Sequence, residues 1–218
     1  MEIERRSLLV EDAPEVELVV ETRSNGREAI RGVAIPYNRL SVDLGGFRER
    51  ILPGAIDKIL SRQRGRQEIV SYFNHDSNWL LGREAAGTLE ITSDERGVSY
   101  IVEPPDTQAG RDVLALVRSR NLRGSSFAFT VAQRGGERFT TDETGKAIRE
   151  VVEASGLFEM GPVVTPAYSS TSIAVAMRSY EAWLHLQSSE PAAQADSVRS
   201  TLRGVAAAWA AILRLRNV

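Results

Sequence analysis

Two kinds of side chain in this sequence could together attack a carbonyl near neutral pH: an imidazole at His75 and a hydroxyl at Ser125 or Ser126. The chain has only two histidines, His75 and His185, so a mechanism that needs a neutral-pH base has few places to find one. His75 sits in Asn74-His75-Asp76, directly after the apolar run Glu68 to Phe73 (EIVSYF) and outside the C-terminal part of the chain. That setting suits a general base, although a lone histidine in a polar turn is more often a surface residue. Gly124-Ser125-Ser126 leads into Phe127-Ala128-Phe129. A nucleophilic serine needs a tight backbone position with amide groups close by to hold an oxyanion, and Gly124 permits such an approach. Gly-Ser-Ser is also common in ordinary turns. The G-x-S-x-G elbow is absent, which disfavours an esterase or lipase.

A third group must fix the tautomer of the base and stabilise the imidazolium that forms. Glu150, Glu153 and Glu159 lie in or just before the β-like stretch 151–165 and are the acids available for this role. Glu159 stands between Phe158 and Met160, where an acid is costly to bury unless paired. It is therefore a better candidate than an acid in a polar loop, with an ion pair to an arginine such as Arg149 as its structural alternative. The acids near His75 lack the paired spacing of a metalloprotease helix, so no metal site is expected. The chain has no cysteine, which excludes disulfides, thiolate zinc sites and cysteine nucleophiles.

The elements that must position these groups read as mainly β. Apolar and polar residues alternate over 16–22 and 28–35 with Asn25-Gly26 between them, a hairpin signal. Further strands are expected at 47–52, 68–73, 87–92, 97–102, 124–132 and 151–165. The spacing predicts a short helix after Pro53-Gly54 and a longer one from a Thr107 cap to about Asn121. Arg134 to Lys146 is polar and glycine-containing and reads as a mobile hairpin loop. Residues 167–176 read as a loop entering a short final strand. The expected fold class is α+β, mainly β, with a closed or half-closed barrel over 1–178. Residues 179–218 form a helical appendage: helix 179–187, the linker SSEPAAQADS, and an amphipathic helix 198–216 striped by Val198, Leu202, Val205, Trp209 and Ile212.

Composition sets the outer bounds. The 218 residues are 42% hydrophobic and 26% charged with a net charge of -2, which is ordinary for a soluble globular protein. No basic face of the kind that neutralises phosphates is advertised, so nucleic acid is not an expected partner. No apolar run approaches the length of a membrane span, and the N-terminus does not read as a signal peptide.

Five blocks in order carry a resemblance: FRERILPGAI (47–56), NHD (74–76), LLGR (80–83), LRGSSFAF (122–129) and LFEMGPVVTPAY (157–168). Over about 28–178 the chain resembles the tailed-bacteriophage prohead (capsid-maturation) serine proteases, which are similar in turn to the herpesvirus assemblins. The resemblance implies an assemblin-like barrel and a serine endopeptidase without a cofactor. It also implies His75 as base, Ser126 rather than Ser125 as nucleophile, and Glu159 as third member with Glu153 as the alternative. Backbone amides near Gly161, with help from Arg123, are the expected oxyanion donors. Ala128 replaces a frequent family glycine, and Met160-Gly161-Pro162 replaces a commoner V-S-V, so the strand must bulge or end near Pro162. The implied substrates are the major capsid protein and its scaffold segment, with self-cleavage in the 187–197 linker. The implied place is the host cytoplasm, inside the assembling procapsid. A homodimer through the C-terminal helix is a further expectation. The rival reading is a non-catalytic capsid assembly or scaffolding protein that binds through that helix.

Overall fold

A computed structural model describes residues 2–9, 18–61, 68–164 and 174–187. The chain divides into two units, Met1–Ala176 and Met177–Val218. The first is mainly β, with twelve strands in three sheets among its described residues.

A five-stranded sheet carries β1 (Glu4–Leu9), β9 (Gly124–Val131), β12 (Ala154–Val163), β5 (Val70–Phe73) and β6 (Asp76–Arg83), in that spatial order. A four-stranded sheet runs β2 (Val19–Thr22), β3 (Glu28–Pro36), β8 (Gly97–Val102), β7 (Leu89–Asp94). The third runs β10 (Glu137–Thr141), β11 (Ala147–Val151), β4 (Phe47–Ile51), with β11 and β4 parallel. No cyclic ladder of strands closes a barrel among the described residues. Ile30, Ile35, Tyr100, Val102, Phe127, Phe129, Leu157 and Met160 belong to one buried cluster that joins strands of the four- and five-stranded sheets. Helix α1 spans Asp57–Leu60 and helix α2 spans Gln108–Arg118. The Thr107 side chain accepts from the Gly110 N–H at 3.2 Å, so α2 starts at the expected cap, and Val113, Leu114 and Val117 are its buried face.

Several expectations need correction. The polar stretch 134–146 is not simply a loop: it contains β10, whose Phe139 packs edge-on against Phe47 at 5.8 Å between centroids. The segment from 174 to 176 is the start of a helix that runs to 187, not a final strand. The preceding residues 165–173 lie outside the described residues, as do the linker 188–197 and the amphipathic stretch 198–216. Outside the stretch 134–151, which holds β10 and β11, two strands escape the sequence pattern. β6 exposes its first residues and buries Leu81, so it has no alternation to read. β1 hides because its inward positions are charged: Glu4 and Arg6 are almost fully buried.

Candidate active site

His75 is positioned by a two-residue hairpin turn. Phe73 of β5 pairs with Asp76 of β6, leaving Asn74 and His75 as the connection. Both have positive φ, 52° and 61°, as the tight hairpin loop that matches strand twist requires. Asparagine and histidine tolerate this region better than most residues, though not as freely as glycine. Asn74 also pins the turn to the end of β12. Its N–H donates to the Pro162 carbonyl at 3.1 Å, and its Oδ1 accepts from the Val164 N–H at 2.9 Å. Asp76 Oδ1 accepts from the Asn78 backbone and side-chain amides, so this acid serves the turn.

Ser126 lies on β9 between β1 and β12, opposite Ser7 on one side and Gly161 on the other. Strand alternation turns Phe127 and Phe129 into the core and leaves Ser126 on the opposite face. Ser125 points the other way from Ser126, and its Oγ lies 3.1 Å from the Tyr100 hydroxyl, whose pKa burial raises.

Glu159 reaches the Ser126 face through a β-bulge. Leu157 pairs with Phe129 and Glu159 with Ala128, so Phe158 is one residue extra on β12. Plain alternation would place Leu157 and Glu159 on one face. The extra residue switches the phase, so Leu157 and Met160 go to the core while Glu159 and Gly161 join Ser126. The strand then continues one residue past Pro162, whose carbonyl receives Asn74.

Three side chains are thereby brought into line. Ser126 Oγ is 2.7 Å from His75 Nε2, and His75 Nδ1 is hydrogen-bonded to Glu159 Oε1. The imidazole is 25% exposed and the Glu159 side chain 9%. Arg5 Nε lies 3.8 Å from the same carboxylate oxygen. Chemically, a carboxylate that accepts from Nδ1–H leaves Nε2 as the acceptor facing a hydroxyl, the arrangement of a base that can take a serine proton.

The other acids go elsewhere. Glu153 pairs with Lys58 Nζ at 2.6 Å, and Glu150 is held by Arg50 and Arg138. Arg149 pairs with Glu4, Glu49 and Glu137, so it is not the partner of Glu159 that the sequence allowed. Gly161 is packed against β5, where an added Cβ would lie 2.3 Å from the Tyr72 carbonyl oxygen. Arg123 is exposed just before β9, and His185, in helix 174–187, belongs to the second unit. Among the described residues no three potential metal ligands cluster, and no helix is long and apolar enough to cross a membrane.

Sequence reasoning missed β1. Ser7 donates its hydroxyl proton to Ser126 Oγ at 2.9 Å, and Ser126 Oγ donates to the Arg6 carbonyl at 2.7 Å, an acceptor that competes with His75 Nε2 for its one proton. Ser126 is only 1% exposed as a result. Nothing in ERRSLL marks it out beyond a serine, and the contact depends on long-range strand pairing.

A family model described as caudovirus prohead serine protease matches residues 16–185. Among solved structures, that of the bacteriophage T4 capsid assembly protease, gp21, aligns at 12% identity and a TM-score of 0.39. The alignment covers 73% of this chain and 98% of that one, a likeness too distant to bear on the site. No curated protein matches.

Proposed function

The chain belongs to the caudovirus prohead serine proteases, the peptidases of capsid maturation, and within that family we propose that it cleaves peptide bonds through Ser126, His75 and Glu159. The observation that carries this reading is the continuous hydrogen-bonded line from the Ser126 hydroxyl through both imidazole nitrogens to a nearly buried carboxylate.

In this reading Ser126 Oγ forms a bond to the scissile carbonyl carbon as His75 Nε2 takes its proton. The tetrahedral adduct then collapses, the C–N bond breaks, and the imidazolium returns that proton to the departing amine. Water, deprotonated in turn by His75, hydrolyses the acyl ester and restores the serine. Glu159 keeps the imidazole in the required tautomer and lowers the free energy of the imidazolium. The adduct's oxyanion would be held by backbone N–H groups near Ser126 and Gly161.

The proposed substrates are the major capsid protein with its scaffold segment, and this chain's own 187–197 linker, inside the assembling procapsid in the host cytoplasm. We take the three sheets as an assemblin-like half-closed barrel over 1–178, with 179–218 as an appendage suited to a homodimer or a capsid contact. The test is co-expression with the capsid protein. Intact mass should show the shortened capsid chain with the native sequence and only full-length chain with Ser126→Ala. Equal processing by both proteins would leave only the non-catalytic assembly role.

A further inference from the structure

A serine hydroxyl oxygen has three non-covalent directions, one for its proton and two for lone pairs. Around Ser126 Oγ all three have neighbours: His75 Nε2 at 2.7 Å, the Arg6 carbonyl at 2.7 Å and the Ser7 hydroxyl at 2.9 Å. Attack needs one lone pair aimed at a carbonyl carbon, and two of the three neighbours belong to β1. This strand lies at the edge of its sheet, antiparallel to β9, with its Arg6–Ser7 peptide at the nucleophile. It precedes the span 16–185 that the family model matches. Resting on the assignment of Ser126 as nucleophile, we propose that β1 occupies the substrate's place: a peptide substrate adds to β9 as an antiparallel strand after β1 leaves, with an arginine where Arg6 now lies.

Strand addition to a sheet edge is a general way of binding extended peptides, with main-chain bonds giving affinity and alternate side chains giving specificity. The specificity follows from charge. The Arg6 guanidinium is buried and grips Glu49 with two N–H groups, at 2.6 and 3.0 Å, while Glu4 of the same strand binds Arg6 and Arg149. Departure of β1 removes Glu4 and Arg6 together. Arg149 then faces two carboxylates, Glu49 and Glu137, and Glu49 loses the guanidinium that gripped both its oxygens. A buried carboxylate in that state favours a cation, and a planar guanidinium can restore both bonds.

Because the native chain has no cysteine, one engineered disulfide can lock the strand. Arg5 and Ala128 are cross-strand partners, so the full-length Arg5→Cys/Ala128→Cys protein is compared oxidised and reduced. The probe is a fluorophosphonate, in which serine Oγ bonds to phosphorus, fluoride leaves and His75 takes the proton. The reduced form should label at least tenfold faster than the oxidised form. Equal rates, or thiols that never oxidise, overturn the proposal while leaving Ser126 as nucleophile. No labelling of native or reduced protein removes that assignment, and this proposal with it. In a second arm the reduced protein receives octapeptides of sequence EIERRSLL with the second arginine replaced by alanine, leucine or lysine. Arginine should give at least a tenfold higher kcat/KM than alanine. No basic preference, or no cleavage of the arginine peptide by probe-reactive protein, overturns the specificity.

Discussion

Histidine at 75 is held at a φ of 61°, a conformation that costs a residue with a Cβ on the order of 1–2 kcal/mol. The turn persists because Asn74 fastens it to β12 at Pro162 and Val164. Position 74 therefore separates backbone strain from fastening. Asn74→Gly keeps the positive φ and loses the Val164 bond, a change of about 1 kcal/mol. Asn74→Ala loses the bond and the tolerance together. We expect the alanine variant to be the less stable in urea titrations by about 1 kcal/mol, with the larger fall in kcat/KM. Equal losses in the two variants would mean that the bond, and not the conformation, sets the turn. The acids give a second contrast. Glu159→Gln changes no shape but cannot stabilise the imidazolium, so kcat should drop on the order of 10³–10⁴-fold with little change in Tm. Glu153→Gln, whose carboxylate faces Lys58, should leave kcat within about twofold. A comparable loss from Glu153→Gln would displace Glu159 as the third member.

At the scale of the strand, the site depends on how β12 is threaded between β9 and β5. The Phe158 bulge chooses which face receives Glu159, and Gly161 lets β5 come close enough to deliver the turn at its end. Gly161→Ala would drive a methyl group toward the Tyr72 carbonyl at 2.3 Å, and the two strands must separate to admit it. Overpacking of this kind costs about 1–3 kcal/mol. A lower Tm should therefore accompany a loss of kcat/KM larger than stability explains, because His75 moves with β5. Unchanged activity in a destabilised variant would show that the histidine turn is positioned independently of this contact. These features also explain what the sequence could disclose. Phe127 and Phe129 alternate plainly, so β9 and its serine were legible. The apolar run before Asn74 showed where β5 ends. Leu157, Glu159 and Met160 were not separable into faces, because a one-residue bulge erases the period-two signal on which such assignments rest. β1 was illegible for another reason: its buried residues are acids and arginines whose partners lie 43 and 145 positions away.

Those distant partners tie the first unit together. Arg149 on β11, in the three-stranded sheet, contacts Glu4 on β1 of the five-stranded sheet as well as Glu49 on the neighbouring β4. Removing one member of a buried ionic cluster leaves charge without compensation, which typically costs 3–5 kcal/mol. The cluster also fixes the sign of the acid response. Burial pushes the Glu49 carboxyl up, but Arg6 and then Arg149 outweigh it and hold the group at about 2, below its ordinary 4.5. In the unfolded chain the group regains its ordinary affinity and binds a proton first as pH falls. Its contribution is thus fully present above about pH 4.5, declines through the interval below, and is gone once the folded carboxyl protonates near 2. The urea midpoint of the native protein should accordingly fall steeply between pH 5 and about 2. Glu49→Gln should begin lower at pH 7 and show a flatter slope, since glutamine has no proton to gain. Parallel slopes in the two proteins would assign the acid sensitivity to other carboxylates, and would remove Glu49 as the anchor that holds β1 across Ser126.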